Sequence, residues 1–471
     1  MENVSVAAEE IQKSPEPSTR IPLKEKLAYG LGDVGNGFLF DLGQIYLLKF
    51  YTDILGLPAI MAGSVFLFSK VFDAFSDISV GTWIDSRRNI GKRGKFRPFM
   101  LYGLLPLGLM TMVSFSNPDF TITGKLIFAY VTYMLFGLTY SIVNIPYGSI
   151  AASMTQEPIE RTSLAAFRQC GSNAALLITT VAFMPIVTMF ADQETGYKTA
   201  VGVFAVLGML ITYYCYAHIH ERIIVERPKE AKSSLGKSFK ALLKNTPLLL
   251  LCLVNLFTFS AFNVKLAVQV YYCQYSLNDL SIVPYMGFFS IGCVFLGVFC
   301  VSKAVKVLGG KKQTYMFGCA IWAFGDLINY FFATTPTVFI ALSCVAFFGS
   351  AFVNSLNWAL VADAVEYGEW KTGIRSEGIV YSFFTFFRKC SQAIAGFVPG
   401  VVLGLVGYVP NAVQSAQALA GIKGLMFIYP SVLAIATIAV MGTVYKLSDQ
   451  RFKEIVAMLK ERKAQEGLKN A

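Results

Sequence analysis

Two acidic residues, Asp73 and Asp77, lie four positions apart within the apolar stretch VFDAFSDISVGTW. At that spacing both carboxylates share one face of a helix. A charged carboxylate is costly at membrane depth, so residues of this kind usually face a bundle interior or an aqueous cavity and act on ions or polar solutes. We therefore predict that Asp73 and Asp77 bind a cation. A buried ion pair that serves packing alone is the alternative.

Three basic residues also fall inside apolar segments. Arg168 follows Arg161 by seven residues, about 10 Å along a helix, and Lys389 follows Glu377 by twelve residues, about 18 Å along another. Lys265 lies in TFSAFNVKLAVQV, where a lone lysine is costly unless it snorkels to the headgroups or meets an anion. We predict that Lys265 binds an anionic group of the substrate; snorkelling is the alternative.

Several polar side chains in apolar segments complete a candidate binding cavity. Sugar sites combine amide or carboxylate hydrogen bonds with an aromatic platform. Any single asparagine of this kind also serves as a contact between helices. The candidate substrate-binding residues are Asn36, Asp41, Arg168, Asn263, Lys265, Asn354, Asn357, Trp358 and Lys389.

The elements that position these residues must be membrane helices. The 471 residues are 55% hydrophobic and only 15% charged, and the mean hydropathy is +0.55, which indicates a polytopic helical membrane protein. The net charge of +11 does not indicate nucleic-acid binding, because the cations cluster in short turns between apolar segments. No HExxH, GxSxG or CxxC motif is present. We therefore predict a non-enzymatic protein with no cofactor and no metal site.

Apolar spans recur twelve times, six on each side of a basic central stretch. The predicted spans are 29–52, 57–84, 98–116, 124–152, 163–190, 198–219, 247–272, 282–303, 313–333, 335–363, 378–407 and 424–446. This predicts an all-α membrane protein with a tail over 1–26, a six-helix bundle over 27–219, a central loop over 220–246, a second bundle over 247–446 and a tail over 447–471.

Lysine and arginine concentrate in alternate turns, in the central loop and after Lys446, whereas the turns 117–123 and 408–421 carry almost none. By the positive-inside rule, both termini are predicted to be cytoplasmic in a bacterial inner membrane. The first residues lack the apolar core of a signal peptide. We expect a multi-pass protein that acts as a monomer in the lipid bilayer.

Charged residues at the predicted cytoplasmic ends of the helices are candidates for gating. They can pair across the inner mouth and re-pair as two halves move. A merely solvated face is the alternative, because exposed pairs are individually weak. The candidate gating residues are Asp85, Arg93, Arg97, Glu160, Arg161, Glu366, Arg375 and Glu377.

Several separate motifs, in order between about Leu23 and Lys453, carry a family resemblance: YGLGDVGNGFLFDLG, YTDILGLP, the stretch from Val71 to Phe99, NIPYGSIAASMTQEPIERTSLAAFR and VADAVEYGEWKTGIRSEGIVYSFFTFFRK. They resemble the glycoside–pentoside–hexuronide cation symporters. The resemblance implies the major facilitator fold of two six-helix halves with a substrate site between them. Other segments are similar to the carriers of acidic sugars within that family, those of the glucuronide, sulfoquinovose and oligogalacturonide type.

The resemblance also implies roles for individual residues. Asp73 and Asp77 match the cation-site aspartates of the melibiose carrier, and Ser76 stands where that carrier has an asparagine. Asn144 replaces a further acid of the site, which lowers the charge available to hold Na⁺ and favours H⁺ as the coupling ion. Arg168 and Lys389 match charged residues of the family's site, and Lys389 is expected to compensate the aspartates when no cation is bound.

Two substitutions in the family pattern bear on the substrate. Gly37 stands where the melibiose carrier has a sugar-binding acid, and Gly148 stands where it has a tryptophan. Loss of an anion and gain of Lys265 favour a carboxylated or sulfonated sugar by charge complementarity. The sequence thus predicts a cation-coupled importer of an acidic sugar that works by alternating access. A sugar exchanger or exporter of the same fold is the alternative, and a membrane sensor or enzyme is a weaker one.

Overall fold

A computed structural model of the chain describes residues 20–86, 94–155, 157–222, 242–332, 335–373 and 377–470. Within these ranges the chain forms twelve long helices and a C-terminal helix. The first six are α1 (Leu23–Ile45, continued by Leu47–Asp53), α2 (Ala59–Ser86), α3 (Arg97–Ser114), α4 (Ile122–Met154), α5 (Pro158–Thr188) and α6 (Gln193–His218).

The second half repeats the number of helices. Its elements are α7 (Thr246–Tyr271, with a wide turn over Tyr272–Ser276), α8 (Ile282–Val307), α9 (Lys311–Phe332), α10 (Pro336–Thr372), α11 (Glu377–Leu405), α12 (Ala416–Lys423, a wide turn over Gly424–Ile428, and Tyr429–Thr443) and α13 (Asp449–Asn470). The prediction of an all-α protein with twelve transmembrane helices is confirmed. Eight of the described helices are long and apolar enough by themselves to cross a bilayer.

Polar caps decide where several helices begin. The side chain of Asp192 accepts hydrogen bonds from the backbone N–H groups of Glu194 and Thr195, so α6 begins at Gln193, before the apolar run predicted from 198. Ser415 caps α12 in the same way, so α12 begins at Ala416, eight residues before the predicted start at 424. Side-chain oxygens at a helix N-terminus satisfy backbone donors that have no partner within the helix. The predicted C-terminal tail forms helix α13 from Asp449.

The helices run alternately between two faces. Arg222, after α6, pairs with Glu25 at the start of α1, and the backbone N–H of Lys311, at the start of α9, donates to Asp449 at the start of α13. We call the face that carries these residues the terminal face, and the other the opposite face.

Helices α1–α6 and α7–α12 form two bundles that meet mainly where α2 packs on α11 and α5 packs on α8. Glycines allow the backbones to approach at both contacts. A Cβ atom on Gly63 of α2 would lie 3.0 Å from the Cα of Gly400 in α11, and one on Gly287 of α8 would lie 2.4 Å from Thr180 in α5. Small residues at helix contacts are the usual way to pack membrane bundles closely.

The buried apolar residues show how the halves are arranged. Toward the opposite face they form one cluster that includes both halves, with Phe50 and Tyr51 of α1 joined to Tyr271 and Phe427 of the second half. Toward the terminal face, the clusters around Tyr29 and around Trp322 each belong to one half. The halves are therefore joined near the opposite face, and among the residues that the structure describes they share no such core near the terminal face.

Candidate functional site

A group of charged side chains lies where α2, α4 and α11 meet. Asp77 of α2 forms an ion pair with Lys389 of α11. The hydroxyl of Ser141 in α4 donates a hydrogen bond to Oδ1 of Asp77 at 2.5 Å. The side chains of Lys389 and Asp77 are 24% and 28% exposed, so water reaches this pair. Asp77 is thus held by both halves at once.

Asp73 lies deeper in the same group. Its Oδ2 atom accepts a hydrogen bond from the ammonium of Lys70 at 3.1 Å, and both side chains are buried. Within the part of the chain that the structure describes, Oδ1 of Asp73 has no hydrogen-bond partner. A Cβ atom on Gly137 of α4 would lie 1.8 Å from that oxygen, so only glycine fits there. The sequence analysis missed Lys70, although a lysine three residues before Asp73 in an apolar segment marks it.

Of the other two predicted cation ligands, Ser76 is buried on α2 and Asn144 is half-buried on α4, one turn from Ser141. Among the described residues, no cluster of three or more His, Cys, Asp or Glu side chains could hold a metal ion.

Arg168 of α5 lies in a second polar group, inside the first half. Its Nε and Nη2 atoms donate to the two carboxylate oxygens of Asp33 in α1, at 2.7 and 3.3 Å. Its guanidinium also lies over the ring of Tyr147, 4.7 Å from the ring centre. The sequence analysis missed Asp33, which falls inside the predicted span 29–52 and could have been found by the same rule that selected Asp73.

The two remaining candidates of α1 lie in the same half. Asn36 is buried, and among the described residues its side-chain amide has no hydrogen-bond partner. A Cβ atom on Gly37 would lie 3.4 Å from the carboxylate of Asp41. Near them, the rings of Phe40 and Tyr140 stack with centres 4.7 Å apart.

The candidates of the second half are divided between helix contacts and the interior. Asn263 donates to the backbone carbonyl of Phe259 on its own helix, and Asn357 accepts a hydrogen bond from the hydroxyl of Tyr315 at 3.0 Å. The contact of Asn357 matches the alternative in which asparagines join helices, whereas that of Asn263 stays within α7. Trp358 is 37% exposed and stacks on Tyr381, with ring centres 5.9 Å apart.

Near these residues, Asn354 is half-buried on α10. The guanidinium of Arg388 lies over the rings of Phe259 and Trp358, at 4.2 and 5.3 Å from their centres. An arginine beside Trp358 was not among the predicted site residues.

Lys265 is not the lone cation that the sequence analysis expected. Its ammonium forms an ion pair with Asp326 of α9, and the indole N–H of Trp322 donates to the same carboxylate at 3.0 Å. The side chains of Lys265 and Asp326 are 1% and 0% exposed, so the lysine does not snorkel either. The sequence analysis missed this pair because Asp326 is 61 residues away in sequence and local spacing gives no sign of the pairing.

Two of the described gating candidates contact their own half. Arg97 donates to the backbone carbonyl of Tyr216 at 2.9 Å, and Arg161 donates to that of Thr155 at 2.9 Å. Pairing of the gating candidates across the inner mouth stays a prediction. Glu366 lies half-buried near the end of α10. Arg93 and Arg375 lie outside the described residues, as do the side chains of Asp85 and Glu377.

Glu160 also binds within the first half. It accepts hydrogen bonds from the ammonium of Lys26 at 2.8 Å and from the backbone N–H of Ile21 at 3.1 Å. The hydrogen bond from Lys26 is the main cause that lowers the pKa of the Glu160 carboxyl below its ordinary value.

A third charged group, at the opposite face, was not predicted at all. Asp53 at the end of α1 pairs with Lys49 at 2.5 Å and accepts hydrogen bonds from the hydroxyls of Tyr275 and Tyr408, at 2.8 and 2.6 Å. The side chain of Asn411 donates to the backbone carbonyl of Asp53 at 2.7 Å. We call these five residues the Asp53 cluster. The signal in the sequence is the i, i+4 pair of Lys49 and Asp53 in LLKFYTD.

Comparison with known proteins places the chain among transporters. Residues 28–449 match the family described as MFS/sugar transport protein. A Salmonella typhimurium protein provisionally named 2,3-dihydroxypropane-1-sulfonate exporter is 51% identical over 96% of this chain and 99% of its own length. An Escherichia coli protein provisionally named sulfoquinovose importer is 49% identical over 95% of this chain and 96% of its own. A crystal structure of the nucleoside transporter NupG superposes with a TM-score of 0.60 at 12% identity, over 89% of this chain and all of that one.

Proposed function

Because the chain belongs to the MFS/sugar transport protein family, we propose that this sugar transporter is a symporter, which couples H⁺ rather than Na⁺ to the import of an acidic sugar across a bacterial inner membrane. The terminal face is then cytoplasmic. Neither a cofactor nor a second subunit is needed for this activity.

The observation that carries the proposal is the contact of Asp77 with both halves. Asp77 binds Ser141 in its own half and Lys389 in the other half. A proton on Asp77 removes the charge that attracts Lys389, so proton binding loosens one contact between the halves. This links occupancy of the cation site to the relative position of the halves, as a symporter that works by alternating access requires.

Two features favour H⁺ over Na⁺. Asp73 and Asp77 each already bind an ammonium, from Lys70 and Lys389. A metal cation needs several oxygen ligands in place of such ammonium groups. A proton needs only one carboxylate. Asn144, which is uncharged, adds no further anion to the group.

An acidic substrate agrees with the charges around Arg168. Nη1 of Arg168 lies next to exposed Gly148, where a Cβ atom would still be 3.6 Å away. A guanidinium binds a carboxylate or sulfonate through paired N–H groups. The names of both relatives denote sulfonates, which are anions of this kind. Lys265 is given no part in substrate binding, since its side chain is only 1% exposed and is paired with Asp326, whereas that of Arg168 is 32% exposed.

The arrangement of the halves corresponds to one state of the transport cycle. The shared core and the Asp53 cluster close the opposite face, which is periplasmic in this proposal. The substrate site then communicates with the cytoplasm. Uptake from outside requires that the Asp53 cluster opens while contacts form at the terminal face.

The test is to measure pH change and labelled uptake together in membrane vesicles that contain the protein. Neutral, uronic and sulfonated sugars are added with and without Na⁺. We expect alkalinisation outside the vesicles with an acidic sugar alone, and loss of concentrative uptake in Asp73→Asn. The matched control is Asp119→Asn, which changes an exposed aspartate in the turn before α4. A response only with Na⁺, a response only to neutral sugars, or intact accumulation in Asp73→Asn would contradict the proposal.

Export is the second candidate, because one relative with 51% identity is named as an exporter. The same site serves both directions, since alternating access is reversible. Cells that contain the protein distinguish the two. An importer accumulates added substrate in proportion to the proton gradient, whereas an exporter lowers the internal level of preloaded substrate without that gradient.

A further inference from the structure

The ion pair between Asp33 and Arg168 differs from the other buried pairs of the molecule in its surroundings. Arg168 uses two adjacent donors, Nε and Nη2, to bind both oxygens of the Asp33 carboxylate. This two-point contact is the way in which arginine binds a free carboxylate or sulfonate. Asp33 therefore occupies the edge of the guanidinium that a substrate anion would use.

The guanidinium is held in place, so a substrate must come to it. The ring of Tyr147 lies 4.7 Å below it, and the hydroxyl of Tyr147 donates to the backbone carbonyl of Tyr29 at 2.5 Å. The side chain of Tyr29 returns a hydrogen bond to the carbonyl of Tyr147 at 3.3 Å. These contacts lock the two rings between α1 and α4, and Arg168 rests on them.

Arg168 is also accessible. Its side chain is 32% exposed, whereas that of Asp33 is 13% exposed. The open side is next to Gly148, whose missing side chain leaves room beside Nη1. A ligand can therefore reach Arg168 beside Nη1, whereas Asp33 occupies the Nε–Nη2 edge.

The charges around Asp33 set the condition for such a ligand. The groups that face Asp33 from its own helix and from the helices packed against it are Arg168 on α5, Tyr140 and Tyr147 on α4, Cys215 on α6, and Tyr29 and Asp41 on α1. Arg168 is the one cation of this set. A substrate anion beside ionised Asp33 would place two negative charges against a single guanidinium, and like charges brought together in this way oppose binding.

We propose that Asp33 occupies Arg168 in place of the substrate anion in the empty carrier, and that the anion binds Arg168 only as Asp33 takes up a proton. The carboxylate of Asp33 gains the proton from water in the cavity, and the substrate anion replaces it as the partner of Arg168. One proton then enters with each anionic group, in addition to any proton on Asp77. This inference rests on the proposed function, since it requires an acidic substrate.

The proposal assigns to Asp33 a role in coupling that a neutral substrate does not need. A neutral sugar leaves the Asp33–Arg168 pair intact, so its binding takes up no proton at this site. The pH dependence of binding therefore distinguishes acidic from neutral ligands in the same protein, which a purely structural ion pair would not do.

The experiment is a calorimetric titration of the purified full-length protein with a hexose-6-sulfonate, and with the corresponding neutral hexose, between pH 5.5 and 8.5. Two buffers of different ionisation enthalpy report the protons taken up. For the wild type we expect affinity for the sulfonate to fall about tenfold for each pH unit over part of the range, with one proton taken up. Asp33→Asn should lose the part of the pH dependence and of the proton uptake by which the sulfonate exceeds the neutral hexose, and Asp33→Glu should restore that part.

The outcomes separate a failure of the proposed function from a failure of the role of Asp33. Wild-type protein that binds only the neutral hexose contradicts the proposed function. Wild-type protein that binds the sulfonate at all pH values with one affinity contradicts the role of Asp33 alone. The same holds if the pH dependence of sulfonate binding in Asp33→Asn still exceeds that of the neutral hexose. The control Asp119→Asn should reproduce the wild-type profile. If Asp33→Asn does not fold, Asp33→Ser is measured in its place, and an excess pH dependence that persists there overturns the proposal.

Discussion

Among the described residues, two charged groups connect the halves: the Asp53 cluster, and the pair of Asp77 with Lys389. They differ in how far water reaches them. At the opposite face, the side chains of Lys49 and Asp53 are 4% and 2% exposed. In the interior, those of Lys389 and Asp77 are 24% and 28% exposed. The first contact is closed to solvent and the second is open to it.

The difference in partners follows the difference in exposure. Asp53 accepts from one ammonium and from the hydroxyls of Thr52, Tyr275 and Tyr408, so its charge is compensated without water. Asp77 has one ammonium and one hydroxyl, and its 28% exposure leaves the rest of the carboxylate open to water. A fully paired buried charge stabilises one arrangement of the halves, whereas a partly hydrated charge can exchange its partner for a proton.

The largest expected effect comes from Asp53→Ala, which leaves Lys49 buried without its anion. Removal of one partner from a buried ion pair costs about 3–5 kcal/mol, so the state with a closed opposite face should lose more than a hundredfold in population. The measurement is the distance between spin labels at Phe120 and Val413, which lie exposed in opposite-face turns of the two halves. The exposed Cys170 and Cys300 are first replaced by serine.

In the wild type we expect one short distance, and in Asp53→Ala a long one. The matched control is Asp279→Ala, which removes an exposed aspartate from the turn between α7 and α8. An unchanged distance in Asp53→Ala would show that the apolar core alone closes this face, and the comparison between the two contacts would fail.

A smaller effect is expected from Tyr408→Phe, which removes one hydrogen bond to Asp53 and leaves the ion pair in place. A hydrogen bond to a charged group contributes about 2 kcal/mol. The long-distance population should therefore rise about thirtyfold. The measurement is again the distance between spin labels at Phe120 and Val413. Tyr408→Phe that opens the face as far as Asp53→Ala would show that the hydroxyl, and not the charge balance, holds the cluster together.

For Asp77→Asn we expect the label distances to change little. The free-energy difference between the open and closed states should shift by about 1 kcal/mol, because Lys389 is partly exposed and water can stabilise its charge. Transport should change in its coupling: the acidic sugar still equilibrates across the membrane, and its accumulation falls because only the proton taken up by Asp33 remains coupled to it. Uptake against a concentration gradient and exchange of labelled for unlabelled sugar are measured in the same vesicles. Loss of exchange as well as accumulation would mean that Asp77 holds the structure together and does not act in coupling.

The comparison also explains what the sequence could predict. Asp73, Asp77 and Lys389 are charged residues deep in apolar segments, and such residues can be identified one at a time. Asp53 was missed because the predicted span ended at 52, which placed the residue among the ordinary charges of a helix end. Its partners Tyr275 and Tyr408 come from two other helices or turns, and contacts of that kind depend on the packing of the halves.

Lys265 is a second residue whose contacts depend on packing and could not be predicted from the sequence. Its position in an apolar segment could be read from the sequence, but its partner could not, because Asp326 lies on a different helix. Asp33, in contrast, was within reach of the sequence, since it is an acid in a predicted membrane span. Single buried charges can thus be found by spacing and hydropathy, and their pairing requires the fold.

The smallest effect is expected from Glu160→Gln, which breaks a charged contact within one half. The side chains of Lys26 and Glu160 lie near the terminal face and are 15% and 13% exposed, so the change should lower stability by less than about 1 kcal/mol and leave the label distances unaltered. Because Lys26 lowers the pKa of Glu160, the contact stabilises the fold above the ordinary pKa of a glutamate and is lost as pH falls through the lowered value. Thermal unfolding of wild type and Glu160→Gln should therefore differ at pH 7 and converge in acid. A shift in the label distances would instead show that this contact takes part in the coupling between the halves. The exposure of a charged contact would then no longer distinguish the contacts that close the opposite face from those that exchange a partner for a proton.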